Sequence, residues 1–114
     1  MPVLKIETNQ TLSDDQTAAL MEKSTDMLCR VLDKPKTYMM VYIDSGCSMM
    51  FNGTADPFAF VQLRQFAFDK KQAAGIIAGI SEFIVDELQV SPDRQYIQLT
   101  EMESTLFGWN GKPC

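Results

Sequence analysis

The sequence contains no histidine and no pair of cysteines at C-x-x-C spacing. The first absence excludes Ser-His-Asp and Cys-His catalysis and every imidazole metal site. Three widely spaced cysteines, Cys29, Cys47 and Cys114, indicate free thiols in a reducing compartment and not a disulfide framework. Gly75 and Gly79 belong to no glycine-rich phosphate-binding pattern and indicate close helix packing instead. We therefore expect neither a metal nor an organic cofactor, and any enzyme chemistry must use unusual acid-base groups.

Long apolar runs and an excess of basic charge are also missing. No run approaches the roughly 20 residues that span a bilayer, and the first residues lack the basic and apolar regions of a signal peptide. The net charge of −5 and the isoelectric point near 4.5 argue against nucleic-acid and anionic membrane partners. We therefore expect a cytoplasmic protein, although the missing signal peptide leaves release outside the cell by another route open.

What is present is the composition of an ordinary globular protein, with 46% hydrophobic and 22% charged residues. The chain has 114 residues and is predicted to form one domain that covers 1–114. A core of this size lies near the limit at which small folds recruit partner subunits.

Two helices are predicted from capping residues and apolar spacing. Ser13 followed by Gln16 forms a capping box that starts the first helix, and Pro35 ends it. Asp69 and Gln72 offer a second capping signal. The helix that follows has apolar residues at amphipathic spacing: Ala73, Ile76, Ile77, Ile80, Phe83, Ile84 and Leu88. Strands are predicted at 2–7, 38–43, 49–51, 58–66 and 95–102.

The two halves of the chain resemble each other. In each half, a predicted helix is followed by a proline, then a tyrosine, and then a strand. These residues are Pro35 and Tyr38 in the first half and Pro92 and Tyr96 in the second. Two β-α-β units predict an α+β fold in which both helices cover one face of a four-stranded sheet.

The sheet face opposite the helices is predicted to be apolar. It would carry Val3 or Leu4, Met39 or Met40, and alternate residues of 58–66. Because so apolar a surface is rarely left in contact with water, we expect the chain to oligomerise through this face.

Pro2 is the most unusual candidate for a catalytic group in the chain. If Met1 is removed, as is usual before a small residue, Pro2 becomes an N-terminal secondary amine, and ordinary α-amino groups titrate near about 8. Burial and a neighbouring cation would lower the pKa of this amine towards neutrality, where a general base is most effective. Lys34 is a candidate for that cation and for binding a carboxylate. Each residue also has a simpler interpretation, because Pro2 can merely start a strand and Lys34 can complement the helix dipole.

Aromatic residues offer the walls of a flat apolar pocket. Tyr96, Phe107 and Trp109 lie late in the chain, and Tyr38 and Phe66 precede them. Such side chains would enclose an aromatic substrate. The alternative for each of them is an ordinary place in the core.

Five stretches of the chain resemble one known family. They are MPVL at the start, DKP, MMVYI, SPDRQYI, and FGWNG near the end, and together they are similar to the macrophage migration inhibitory factor family of the tautomerase superfamily. The resemblance implies a homotrimer, in which each subunit has a mixed four-stranded sheet and two antiparallel helices, and three sheets enclose a central channel. It also implies active sites at the subunit interfaces, each with Pro2 at its base.

The resemblance extends to individual site residues. Pro2, Lys34 and Tyr96 match active-site positions of the family, and Tyr38 matches a tyrosine at the pocket rim. In the family the residue at Tyr96 comes from the neighbouring subunit. Trp109 lies in the GWN motif and is expected to add to the apolar wall.

Other positions depart from the family pattern and should reshape the pocket. Phe66 and Phe107 stand where many members have isoleucine and valine, and Gln98 replaces an asparagine. We expect these three residues to contact the substrate and to alter substrate preference.

Three functions are consistent with these residues. The resemblance favours a keto–enol tautomerase that acts on phenylpyruvate-like 2-oxo acids with Pro2 as general base. The second is a signalling or protein-binding trimer with a weak pocket, and the third is a pocket that chiefly stabilises the trimer. Phe58 and Val61 replace the C-x-x-C of animal members, and Leu12 replaces an arginine used in receptor engagement. These replacements weaken the expectation of thiol oxidoreductase and cytokine activity.

Overall fold

A computed structural model describes all 114 residues of the chain. The elements follow in the order β1 (Val3–Thr8), α1 (Asp14–Leu32), β2 (Met40–Asp44), β3 (Ala59–Gln65), α2 (Ala73–Leu88), β4 (Gln95–Glu101), β5 (Gly108–Trp109) and β6 (Lys112–Pro113). Single turns of 3₁₀ helix precede β4 and β5. Neither α-helix combines the length and the hydrophobicity that crossing a membrane requires.

The four long strands form one mixed sheet in the order β2-β1-β3-β4. β1 pairs in parallel with β2, and β3 pairs in parallel with β4, while β1 and β3 are antiparallel. Each parallel pair is joined by one helix, so the predicted α+β fold of two β-α-β units is confirmed. The short antiparallel pair of β5 and β6 was not predicted, because two-residue strands have too little pattern to recognise.

Both helices pack on the same face of the sheet. Alternate residues of β1 and β3 are buried there, as the two-residue period of a strand requires. The helices contribute their amphipathic stripes to the same core. Its fully buried large side chains include Leu4, Ile6, Met27, Leu28, Val61, Leu63, Ile80, Ile84 and Val90.

The capping box predicted for α1 is present. The Ser13 hydroxyl accepts a hydrogen bond from the backbone N–H of Gln16 at 3.1 Å, and the Gln16 side chain accepts one from the backbone N–H of Ser13 at 2.9 Å. The helix ends at Asp33, which has a left-handed φ of 51°. The chain therefore turns out of the helix two residues before Pro35, in agreement with the expected end.

Two local predictions are wrong. Residues 49–51 form no strand, because Phe51 and Thr54 close a tight turn by a single bridge and leave no room for a ladder. Asp69 does not cap α2, since its carboxylate accepts from the backbone N–H of Lys71 and stabilises a preceding turn. The helix begins at Ala73 without a side-chain cap.

The sheet face away from the helices differs from the apolar surface that we expected. Lys5, Gln62 and Gln98 lie opposite one another across its middle, and the Gln62 amide donates to the Gln98 carbonyl at 3.4 Å. The Tyr42 ring lies under the ammonium of Lys5 in this row, and the other apolar side chains occur towards the two ends, with Val3 and Met40 at one of them. The register puts Leu4 on the helix side, a choice that the sequence left open.

Candidate active site

Pro2 lies at the start of β1, where its backbone is fixed by the neighbouring strand. The residue is buried, and its carbonyl accepts a hydrogen bond from the backbone N–H of Met40 at 3.0 Å. Met1 precedes it and is half-buried. The nitrogen of Pro2 is therefore held at one end of the sheet, beside the loop that follows α1.

Lys34 reaches the same place from the end of α1. Its backbone N–H donates to the carbonyl of Cys29 at 3.1 Å, and its ammonium donates to the side-chain carbonyl of Gln65 at 3.4 Å. Burial, and then the positive charge of Lys34, lower the pKa of the Met1 ammonium below its usual value, while negative charge at Cys114 opposes this effect. An amine at the start of this chain is thus surrounded by conditions that favour its neutral form.

Four of the aromatic residues singled out from the sequence meet beside this chain start. Tyr38 packs edge-on against Trp109 with 5.0 Å between ring centroids, and Phe66 packs edge-on against Phe107 at 5.6 Å. Tyr38, Phe107 and Trp109 border a hollow of about 250 Å³, and Phe66 lies behind Phe107. Its lining consists of Met1, Val3, Tyr38, Met39, Met40, Phe107, Gly108 and Trp109. The hollow is mostly apolar and is large enough for a small aromatic molecule.

Sequence reasoning missed two residues at this end of the sheet. Gln65 is only 5% exposed, and its amide N–H donates to the carbonyl of Ala67 at 2.8 Å while its carbonyl accepts from Lys34. A polar residue in the inward register of β3 was the available signal. Cys114 lies beside Met1 with 3.2 Å between their sulfur atoms, and its backbone N–H donates to the carbonyl of Phe107.

Tyr96 and Gln98 lie elsewhere in the same chain. Tyr96 pairs with Phe60, which pairs with Glu7, so it lies five residue steps from Pro2 along the strands. At about 3.4 Å per residue this separation is roughly 17 Å. Gln98 occupies the middle of the uncovered sheet face. A single chain therefore brings together six of the eight predicted site residues and leaves these two apart.

The surroundings of Tyr96 form a second aromatic group. Its ring lies 5.2 Å from Phe51 and 5.5 Å from Phe58, both in edge-on geometry, and the group borders a hollow of about 350 Å³. Tyr96 is 56% exposed. An exposed aromatic group of this kind is typical of a surface that another chain covers.

Arg94 fixes the chain segment beneath this second group. Its guanidinium donates to the carbonyls of Phe51 at 2.8 Å, Asp56 at 2.7 Å and Pro57 at 3.2 Å. It also stacks over the rings of Phe51 and Phe58. The arginine of the SPDR stretch therefore has a structural role.

One group of side chains could in principle bind a metal, and it is remote from Pro2. Glu7, Asp44 and Cys47 offer ligand atoms that all lie within 4.8 Å of one another, at the opposite end of β1. Burial, followed by the nearby Asp44 carboxylate, raises the pKa of the Cys47 thiol, which keeps it protonated. The side chains around Pro2 are suited to proton transfer and to binding an anion.

A four-stranded sheet built from two β-α-β units, with a proline before the first strand, is the fold of the tautomerase superfamily. A family model described as Macrophage migration inhibitory factor (MIF) matches residues 1–113, and the chain belongs to this family.

Individual relatives agree with this assignment. The chain is 30% identical over 115 residues to macrophage migration inhibitory factor of Rattus norvegicus, with 97% of this chain and 96% of the relative covered. It is 26% identical over 112 residues to a macrophage migration inhibitory factor homolog of Brugia malayi, with the same coverage. The crystal structure of a homologue from Prochlorococcus marinus has the same fold, with a TM-score of 0.89 at 24% identity and 97% of each chain covered.

Proposed function

We propose that this protein is a keto–enol tautomerase of phenylpyruvate-like 2-oxo acids and that Pro2 is its general base once Met1 has been removed. The observation that carries the proposal is the position of Pro2, buried at the chain start beside Lys34 and next to an aromatic hollow. Membership of the MIF family supports it. No group other than these side chains is needed for the proton transfer.

The reaction moves one proton between oxygen and carbon. Burial and the charge of Lys34, which lower the pKa of the Met1 ammonium, would act in the same way on the secondary amine of Pro2. The neutral amine accepts the proton of the enol hydroxyl, and the enol electrons form the carbonyl. The protonated amine then returns a proton to the adjacent carbon, which restores the neutral base. A base whose pKa lies near the working pH is the most effective one for both steps.

The remaining residues bind and orient the substrate. The ammonium of Lys34 pairs with the substrate carboxylate, since a lysine ammonium is a strong anion ligand. Phe66, Phe107 and Trp109 flank the aromatic ring, and Tyr38 lies at the rim. Fixing the carboxylate and the ring holds the reacting atoms against the base, which removes much of the entropic part of the barrier.

A complete site requires a second subunit. Because Tyr96 and Gln98 are remote from Pro2 in one chain, they could join the pocket only from a neighbouring copy. We therefore include a homotrimer with interfacial sites in the proposal. The exposed aromatic group around Tyr96 supports an interface there.

The Pro2→Gly variant tests the proposal. Wild type and variant are first shown by intact mass to lack Met1, and light scattering then compares their oligomeric states. We expect phenylpyruvate tautomerisation to fall by about 10² to 10⁴ with the assembly unchanged, because a positioned base contributes a factor of this size.

Two lysines of one loop provide a matched pair of variants. Lys34→Ala should raise KM for phenylpyruvate, whereas Lys36→Ala should leave KM unchanged. Both lysines are exposed, but the Lys36 side chain makes no hydrogen bond, while that of Lys34 is held by Gln65. Full activity of Pro2→Gly would show that Pro2 is not the base. An assembled wild-type protein without activity would refute the tautomerase proposal itself.

A further inference from the structure

Gln65 is the one nearly buried amide at this end of the sheet, and both ends of the amide are engaged. Its N–H donates to the carbonyl of Ala67, and its carbonyl accepts from the ammonium of Lys34. The backbone carbonyl of Gln65 accepts in turn from Met102 at 2.8 Å. A residue fixed at three points, with only 5% of its surface exposed, has little freedom to move.

Lys34 depends on this amide for its placement. A lysine side chain has several rotatable bonds and loses much entropy when it is fixed. Gln65 is the only side chain to which its ammonium is hydrogen-bonded, and Lys34 takes part in no salt bridge. The loop after α1 positions the backbone of Lys34, while the amide of Gln65 positions its charge.

We propose that Gln65 is a positioning residue that holds the Lys34 ammonium at the start of β1 through a neutral hydrogen bond, so that the lysine is fixed and still fully charged. This inference rests on the proposed function. A carboxylate in the same place would fix the lysine equally well but would cancel its charge. The neutral amide leaves that charge available to the N-terminal amine and to an anionic substrate.

Other titratable groups also face this point. Arg64 of β3 pairs with Val3, the residue after Pro2, and brings a second positive charge to this end of β1. Tyr38 approaches from the loop after α1, and Cys114 approaches from the C-terminal end of the chain. Glu101 of β4 pairs with Gln65 in the sheet, and its carboxylate accepts from the backbone N–H of Phe68 at 3.0 Å. Lys34 is the cation whose charge lowers the pKa of the N-terminal amine after burial does. A change at Gln65 reaches the amine through Lys34 because Gln65 accepts a hydrogen bond from its ammonium.

Two substitutions of Gln65 distinguish the effect of holding the Lys34 side chain in place from the effect of its positive charge. Gln65→Glu keeps a hydrogen bond to Lys34 but introduces a negative charge, so the pKa of the Pro2 amine should rise by about one unit. The acid limb of the kcat/KM profile should move to higher pH by the same amount. At a pH well below the pKa, kcat/KM should therefore be about ten-fold lower than in wild type. Gln65→Met removes the hydrogen bond without adding charge, so KM should rise several-fold while kcat changes less.

Gln16→Glu is the matched control. It makes the same chemical change at the far end of α1, where glutamate also suits the capping box. In this variant we expect the pKa of the Pro2 amine and the KM to equal those of wild type. Thermal unfolding of all variants shows whether each one is folded, and if Gln65→Glu fails to fold, the KM of Gln65→Met carries the test.

The measurement is an NMR titration of isotope-labelled Pro2 in protein shown by mass to lack Met1, together with the kcat/KM profile. An unchanged amine pKa in Gln65→Glu, with an unchanged KM in Gln65→Met, would overturn the inference. In a Lys34→Ala background, Gln65→Met should have no further effect on KM, and an additive effect would also contradict it. The NMR titration needs no activity, so it decides the role of Gln65 even if the tautomerase proposal fails.

Discussion

Replacing Gly79 by alanine should destabilise this protein, although alanine is the better helix former. A Cβ at Gly79 of α2 would lie 3.0 Å from the Cγ2 atom of Val31 of α1, whereas a Cβ at Gly75 would meet nothing within 4 Å. Alanine gains about 1 kcal/mol over glycine inside a helix, so Gly75→Ala should gain up to about that amount. At Gly79 the contact costs about 1 to 3 kcal/mol, because the χ1 angle of a helical valine is nearly fixed.

The two variants should therefore differ in unfolding free energy by about 2 kcal/mol, with Gly79→Ala the less stable one. Urea unfolding at one protein concentration measures the difference, since the stability of an oligomer depends on concentration. In a Val31→Ala background the contact disappears, and Gly79→Ala should become stabilising. Equal effects of the two alanine substitutions in the wild-type background would show that the helices do not approach each other closely at Gly79.

Two other perturbations test separate parts of the structure. Arg94→Met should lower the unfolding free energy by about 2 to 4 kcal/mol, because hydrogen bonds from a charged group contribute roughly 1.5 to 3 kcal/mol each and those of Arg94 are partly exposed. Arg30→Met, at an exposed arginine without such bonds, should have little effect in the same urea assay. Burial, then Asp44, raises the pKa of Cys47 in the folded state. The protonated thiol therefore stabilises the folded state, and this stabilisation is lost as pH rises through the folded pKa. The unfolding free energy of wild type should therefore fall more steeply above about pH 9 than that of Cys47→Ala, and parallel curves would contradict the raised pKa.

The parts of the fold that were predictable are those determined by local chemistry. The capping box at Ser13 and the apolar stripe of α2 involve residues within a few positions of one another, so their signals survive without knowledge of the fold. The repeat of two β-α-β units then limited the sheet to few arrangements. The face of the sheet on which Leu4 lies depends on the register between strands that are distant in sequence. The hydrophobic pattern of the first strand was consistent with either Val3 or Leu4 on the helix side.

The candidate site was predictable only in part, for a related reason. Pro2 and Lys34 were recognisable from their chemical types and from their place beside the strand and helix ends. Gln65 was not, because its importance arises from a hydrogen bond to a residue 31 positions away. The separation of Tyr96 from Pro2 likewise follows from strand pairing and from no feature of either residue.

The distribution of charge removes an apparent conflict between an acidic protein and an anionic substrate. α1 carries four acidic and two basic residues, and α2 carries three acidic and no basic ones, so the helices account for the whole net charge of −5. None of those acidic residues lies in the last turn of α1 or the first turn of α2, which meet at the Lys34 end of the molecule.

Basic residues prevail at that end. Arg30 lies in the last turn of α1, and Lys71 lies beside Asp33 near the start of α2. The acidic residues of the helices lie towards the other end, and surface charges act over only about 8 to 10 Å at physiological salt. A 2-oxo acid that approaches Lys34 therefore meets the less acidic end of the helix layer, so the low isoelectric point of the whole chain is no argument against such a substrate.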